Sequence, residues 1–192
     1  MSPVVIGLSG HMGAGKDTIA DYLVRTRGFT VVRISDALRE EVLATLPRTL
    51  RAVARVEFPT PDDDEAFVRY MVYTLKPPII RCLLQEWGTD LRRAERENYW
   101  VQKWHERCVG LDRVVVPDVR FPDELRAVRS VGGHVAYVYR PGHRGDTHAS
   151  ERAFDGEPPS SFTQHFTNVG TVSDLEAQVE EWLVGLGLSR TA

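Results

Sequence analysis

One turn of chain constrains most of what this sequence can fold into. Val4, Val5, Ile6 and Leu8 form a short apolar run that ends in glycines, as a fully buried parallel strand does. Gly10-His11-Met12-Gly13-Ala14-Gly15-Lys16-Asp17-Thr18 follows at once, matching G-x-x-x-x-G-K with Asp where Ser or Thr is usual. Beyond Lys16 the pattern turns helical, with Ile19 and Leu23, then Ala20 and Val24, at i,i+4 spacing and Gly28 as the stop. Phe29 to Ile34, rich in β-branched residues, reads as a second strand. Strand, glycine turn, helix and strand make a βαβ unit, which implies a parallel sheet. Glycines at the turn let backbone N–H groups point inward, and the helix adds its positive dipole end. The expectation is a loop that holds the phosphates of a nucleoside triphosphate, with Lys16 reaching the outer two.

Further acids and arginines fall where such a loop needs them. Val114-Val115-Val116-Pro117-Asp118 is an apolar strand ending in a carboxylate, the form of an acid beside Mg²⁺. Asp17 replaces the usual hydroxyl ligand; it holds the metal, directly or through water, or it positions Thr18. Arg120 suits an acceptor phosphate, because a guanidinium grips it with two donors, and its plainer alternative is an ion pair with Asp123 or Glu124. Asp36 and Arg39 follow the second strand, at the rim where open α/β sheets bind ligands, although Asp36 also suits a helix N-cap. Arg92 and Arg93 follow Gly88-Thr89-Asp90 and are candidates for a substrate phosphate or for solvent. Arg140, Arg144 and Arg152 bracket a loop that can close over the transferring group. An acceptor that is itself a phosphate needs no general base, since its second pKa is ~6.

The rest of the chain fills in around these groups. Asp36 to Gly110 reads as wholly helical: Ala37–Leu46, a start at Thr60-Pro61-Asp62-Asp63-Asp64-Glu65, a break at Lys76-Pro77-Pro78, a face of Ile79, Ile80, Leu83, Leu84 and Trp87 stopped by Gly88, and a face of Trp100, Val101, Trp104 and Cys108. Strands are expected at Arg113–Val116, His134–Tyr139 and His165–Val169, with a helix over Pro122–Val131. Pro141 to Ser161, with Phe154 as its one large apolar side chain, reads as a long loop. Ser173-Asp174-Leu175-Glu176 is a capping box that opens the last helix. Cys82 and Cys108 have no thiol neighbours and read as buried free thiols; His143, His148 and His165 lack a cysteine partner, so zinc is not expected. A formal charge of -3 argues against stable nucleic-acid binding, and no basic leader or run of ~18 apolar residues is present, so the cytoplasm is the expected location.

Several stretches together resemble the phage-type deoxynucleoside monophosphate kinases. They are Gly15-Lys16-Asp17-Thr18, Leu84 to Asp90 (LQEWGTD), Tyr99-Trp100-Val101, Asp118 to Glu124 (DVRFPDE) and His148-Ala149-Ser150-Glu151. The resemblance runs from about residue 4 to 185. It implies transfer of the γ-phosphate of ATP, with Mg²⁺, to a deoxynucleoside monophosphate in the host cytoplasm if the chain is phage-encoded, and it leaves a homodimer open. It implies a single domain over 1–192 with a monophosphate-binding insert at 36–110 and a lid at 140–163. The expected fold is α/β, a five-stranded parallel sheet of order 2-3-1-4-5 with helices on both faces. On this reading the donor nucleotide meets Gly10, Gly13, Ala14, Gly15, Lys16, Asp17, Thr18, Arg140 and Asn168. The acceptor meets Asp36, Arg39, Arg92, Arg93, Trp100, Arg120 and Glu151; the metal meets Asp17 and Asp118; and Lys16, Arg120, Arg140 and Arg144 act in catalysis. The rivals are another small-molecule P-loop kinase, of the dephospho-coenzyme A or phosphomevalonate type, and a nucleotide-binding switch with little turnover.

Overall fold

The computed structural model describes residues 3–46, 64–143, 149–155 and 158–188. The chain divides into two compact units, Met1–Ile34 with Val101–Ala192, and Ser35–Trp100.

The first unit is built on a five-stranded sheet: β1 (Val4–Ser9), β2 (Thr30–Val31), β3 (Arg113–Val116), β4 (His134–Tyr139) and β5 (Gln164–Thr167). The order is β2-β3-β1-β4-β5 and every pairing is parallel, as expected. Ile6 lies opposite Val115 on one side and His134 on the other, so β1 is central and its C-terminal end opens into the glycine loop. Ile6, Leu8, Val115, Ala136, Val138 and Phe166 from the strands join Ile19 and Leu23 of α1 (Lys16–Arg27) in one buried core. Leu175, Val179 and Leu183 of the last helix, which spans Val172–Gly185, complete it. Burial on this scale is what holds the loop still, at about 1.5–3 kcal/mol for each large apolar side chain removed from water. Arg27, 1% exposed, is clamped by Glu180 at 2.8 Å and by the Leu188 carbonyl at 3.1 Å, so its charge is buried with partners.

Among its described residues the second unit is helical: α2 (Ser35–Thr45), α3 (Asp64–Tyr70) running into a π-helical turn at Met71–Leu75, and α4 (Pro78–Gln85) running into another at Glu86–Arg93. Val42, Phe67, Val68, Met71, Val72 and Ile80 form its core. α5 (Tyr99–Cys108) leads back to β3, and α6 (Pro122–Ser130), α7 (Ala149–Arg152) and α8 (Val172–Gly185) complete the chain.

Several local expectations change. The second strand is two residues long, because the Ile34 N–H goes to the Asp118 carboxylate at 3.0 Å and not to a strand. Gly88 does not stop its helix. A Cβ there would stand 2.9 Å from the Leu38 side chain, so the glycine serves close helix packing and the chain winds on to Arg93. The last strand ends at Thr167. The capping box of α8 is Thr171 with Asp174, two residues before the expected one: the Asp174 carboxylate accepts from Thr171 N–H at 2.7 Å, and Thr171 Oγ1 accepts from Asp174 N–H at 3.3 Å. Pro141–Ser161 contains α7 and a 3₁₀ turn at Pro159–Ser161, with Phe154 and Phe162 packed edge to face at 5.3 Å. Cys82 is exposed; Cys108 is half-buried, and burial pushes its thiol up to about 11. The residues Thr60 to Asp63 lie outside the described residues.

Candidate functional site

The loop between β1 and α1 owes its shape to backbone conformations only glycine takes easily. Gly10, Gly13 and Gly15 have φ of 128°, 77° and 110°. At Gly15, which caps α1, a Cβ would stand 2.6 Å from the Asn168 amide nitrogen. That amide donates to the Ala14 carbonyl at 2.8 Å, so Asn168 supports the loop from the end of β5. Lys16 is buried, and its Nζ donates to the Gly10 carbonyl at 2.6 Å and the His11 carbonyl at 2.7 Å. Its ammonium is pulled down to about 8, first by burial and next by the Arg120 guanidinium, against the opposing pull of Glu151, Asp17 and Asp118. Four of the expected site residues therefore act electrostatically on one amine. Arg140, at the end of β4, donates to the Gly13 carbonyl at 3.2 Å.

Two cavities flank the loop. One, of about 290 Å³, is lined by Gly13, Lys16, Asp17, Arg140 and Asn168 together with the apolar Val172 and Leu175. Charged and apolar groups in one cavity are what a nucleotide site needs. The other, of about 360 Å³, is lined by Arg120, Glu151 and His11 and by the aromatic Tyr137, Phe154 and Phe162.

Arg120 is aimed by its neighbours. The buried Glu124 carboxylate accepts the backbone N–H groups of Arg120 at 2.7 Å and Phe121 at 3.1 Å, tying the turn to the start of α6. The guanidinium itself pairs with Glu151, not with Asp123 or Glu124 as the plainer reading allowed. Asp17 is 77% exposed and meets Arg33 at 2.7 Å. Asp118 accepts from Ile34 N–H. Among the described residues no three His, Cys, Asp or Glu side chains cluster as a metal site. A Mg²⁺ ion that bridges phosphates keeps several waters and needs only one or two protein carboxylates, so Asp17 and Asp118 fit that demand.

In the helical unit the expected residues are held differently. Asp36 and Arg39 pair with each other at 3.0 Å. Trp100 is buried, and its Nε1 donates to the Gly88 carbonyl at 2.8 Å. Arg93 donates to the Glu97 carbonyl at 3.3 Å. Arg92 meets Glu41 and Glu95, each at 3.1 Å, and lies 5.5 Å and 5.3 Å from the ring centres of Trp87 and Tyr99. Arg144 lies outside the described residues.

Two residues were missed from sequence. Arg33 partners Asp17, and nothing in its setting marked it. Glu41 accepts from Tyr99 Oη, from Trp87 Nε1 at 3.1 Å and from Arg92 Nε at 3.1 Å. These bonds hold its carboxyl below the usual value against the opposing effect of burial, the largest single influence on it. A signal did exist, since Trp87, Arg92 and Tyr99 lie in or beside the stretches that carry the family resemblance.

The sequence profile of the deoxynucleotide monophosphate kinases matches residues 63–179. A protein of Acanthamoeba polyphaga mimivirus, named for that activity, is 31% identical over 165 residues, which cover 77% of this chain and 80% of that one. The deoxynucleotide monophosphate kinase of Enterobacteria phage T4 is 32% identical over 111 residues, covering 54% of this chain and 45% of its own. Among solved structures, a Thermus thermophilus protein superposes with a TM-score of 0.50 at 18% identity, covering 97% of this chain and 99% of that one, a likeness of fold alone. On the profile match and the mimivirus relative together, the chain belongs to the deoxynucleotide monophosphate kinase family and is a kinase.

Proposed function

We propose that this kinase moves the γ-phosphate of ATP, with Mg²⁺, onto a deoxynucleoside monophosphate to give the diphosphate. The observation that carries the reading is the buried Lys16 amine, folded into a glycine loop at the start of α1 with Arg120, Glu151, Asp17 and Asp118 all acting on it. Family membership supports a monophosphate acceptor; the glycine loop supports a triphosphate donor.

The loop N–H groups and the N-terminus of α1 bind the donor phosphates. Lys16 leaves the carbonyls of Gly10 and His11 for the outer phosphates, and Arg140 and Asn168 border the donor cavity. Asp17 and Asp118 would hold the metal, which would supply positive charge to offset that of the phosphates. The acceptor phosphate is a dianion at neutral pH and attacks without a general base. Arg120 grips it with two donors, and Arg140 or Arg144 stabilises the transferring group. The helical stretch 36–110 binds the monophosphate, and residues 140–163 close over the donor.

The test is an ADP-release assay run over a panel of deoxynucleoside and ribonucleoside monophosphates, with dephospho-coenzyme A and phosphomevalonate alongside. Turnover with one or more deoxynucleoside monophosphates is expected. Turnover only with the other acceptors rejects the acceptor assignment. ATP binding without turnover on any of them favours a switch.

A further inference from the structure

Glu151 stands out because it is a buried carboxylate in a site meant for anions. Its side chain is 7% exposed. Its Oε2 accepts from the Met12 N–H at 3.3 Å and lies 3.6 Å from His11 Nδ1, and its Oε1 takes the Arg120 guanidinium. Met12 and His11 are phosphate-loop residues, and Arg120 follows β3, whereas Glu151 sits on α7, 139 and 31 residues away from Met12 and Arg120 along the chain. A loop N–H and a guanidinium converging on one point is how proteins bind phosphate oxygens. Here the converging donors surround a carboxylate supplied by the chain itself.

We propose that Glu151 is a positioning residue that stands in for a phosphate in the nucleotide-free enzyme. Its Oε2 holds the Met12 N–H of the donor loop and its Oε1 holds the Arg120 guanidinium of the acceptor end, and it gives up each contact when a substrate phosphate takes that donor. The argument is electrostatic. An unpaired guanidinium beside the Lys16 ammonium repels it, and Arg120 is indeed the second cause that lowers the lysine, with Glu151 the first that opposes. A carboxylate paired with the guanidinium relieves that repulsion while the site is empty. Once phosphate arrives the same carboxylate repels it, so it must withdraw, and α7, only four residues long, is the element that moves with it. The cost is affinity: a site competent in one molecule in ten binds about tenfold more weakly than a fully competent one.

The inference rests on the phosphate-loop assignment, and one set of titrations tests the two separately. Inorganic triphosphate is titrated into the full chain, without metal, by calorimetry. Wild type is expected to bind it, and Lys16→Ala is expected to lose most of that binding; equal affinity in both rejects the phosphate-loop assignment itself. Glu151→Gln keeps the side chain's size but not its charge, and is expected to bind the probe about tenfold more tightly. Glu151→Asp keeps the charge but falls one methylene short of its partners, so its affinity should lie between the two. Unchanged or weaker binding by Glu151→Gln, with Lys16→Ala behaving as expected, overturns the stand-in role alone. An Asp variant identical to wild type beside a tighter Gln variant overturns it too, since charge repulsion without the contacts then suffices. Should Glu151→Gln fail to fold, the Asp variant decides: affinity above wild type supports the proposal, and affinity at or below it does not.

Discussion

The two units present charged groups in opposite ways. Around the glycine loop the arrangement is made mostly from backbone: three positive-φ glycines, the first turn of α1 and one lysine, all within residues 10–18. In the helical unit charged groups are held by side chains far apart in sequence, with Glu41 gathering Trp87, Arg92 and Tyr99 across up to 58 residues. A phosphate looks the same on every nucleotide, so a short fixed loop can serve them all. Discriminating an acceptor calls for a shaped surface, which only long-range packing supplies.

Lys16 is where the first arrangement breaks most completely. Lys16→Ala removes the side chain proposed to carry a charge to the outer phosphates, and the fold, which rests on the apolar core around β1, should survive. Loss of a transition-state charge interaction costs on the order of 10² or more in kcat. Near-normal turnover in a folded Lys16→Ala protein, checked by circular dichroism, rejects the assignment.

The corresponding break in the helical unit is Glu41→Ala. It strands three donors that lie partly within protein, and should lower unfolding free energy by about 1–3 kcal/mol in a denaturant titration. Glu41→Gln retains an acceptor oxygen and should lose less. Both should raise the acceptor KM and leave the ATP KM nearly unchanged. Equal effects on the two KM values indicate that the cluster supports the whole molecule and not the acceptor alone.

The difference between the units also governs how much could be read in advance. The sheet order and the loop follow from contiguous signals: an apolar run, glycines at fixed offsets, a helix period. The place of Asp118 and Arg120 just beyond β3 was legible because the end of a buried strand is predictable. Glu41 was not, since an acid on α2 looks like any solvated helix position until Trp87 and Tyr99 are brought to it. Gly88 misled for a related reason. Glycine is a common helix stop, and only the approach of Leu38 shows that here it makes room for a neighbour. Thr171 lost to Ser173 as the expected cap because both are followed three residues later by an acid, and sequence alone does not say which N–H groups are left over.

Arg120 sharpens the comparison within the first unit. Arg120→Lys keeps the charge but loses the planar pair of donors, and should raise the apparent KM for the monophosphate about tenfold, roughly 1.4 kcal/mol, while sparing ATP. Steady-state kinetics with each substrate varied in turn gives the answer. If ATP weakens and the monophosphate does not, donor and acceptor ends are assigned the wrong way round.

The smallest effect is a fraction of a proton, and it tests the loop without any catalysis. Lys16 is lowered to about 8 from 10.5, chiefly by burial, so the fold penalises its charged form. That penalty is fully present below pH 8 and is relieved as pH rises from 8 towards 10.5, so this group makes the nucleotide-free protein more stable across that window. Bound ADP reverses the balance by giving the ammonium an anionic partner in its terminal phosphate, which raises the lysine again. At pH 8 about half of the Lys16 amines are neutral, so binding should draw in about half a proton. The probe does not obscure this, because a terminal phosphate with a second pKa of ~6 is already ionised there. Calorimetry of ADP binding without metal, repeated at pH 8 in buffers of different ionisation enthalpy, measures the uptake directly. At pH 6 the amine is fully charged and the lysine's share vanishes. Lys16→Ala should show no uptake at pH 8 even at ADP concentrations high enough to force binding. Uptake of equal size in wild type and Lys16→Ala assigns the proton to another group, and proton release by wild type means that the phosphates do not reach Lys16.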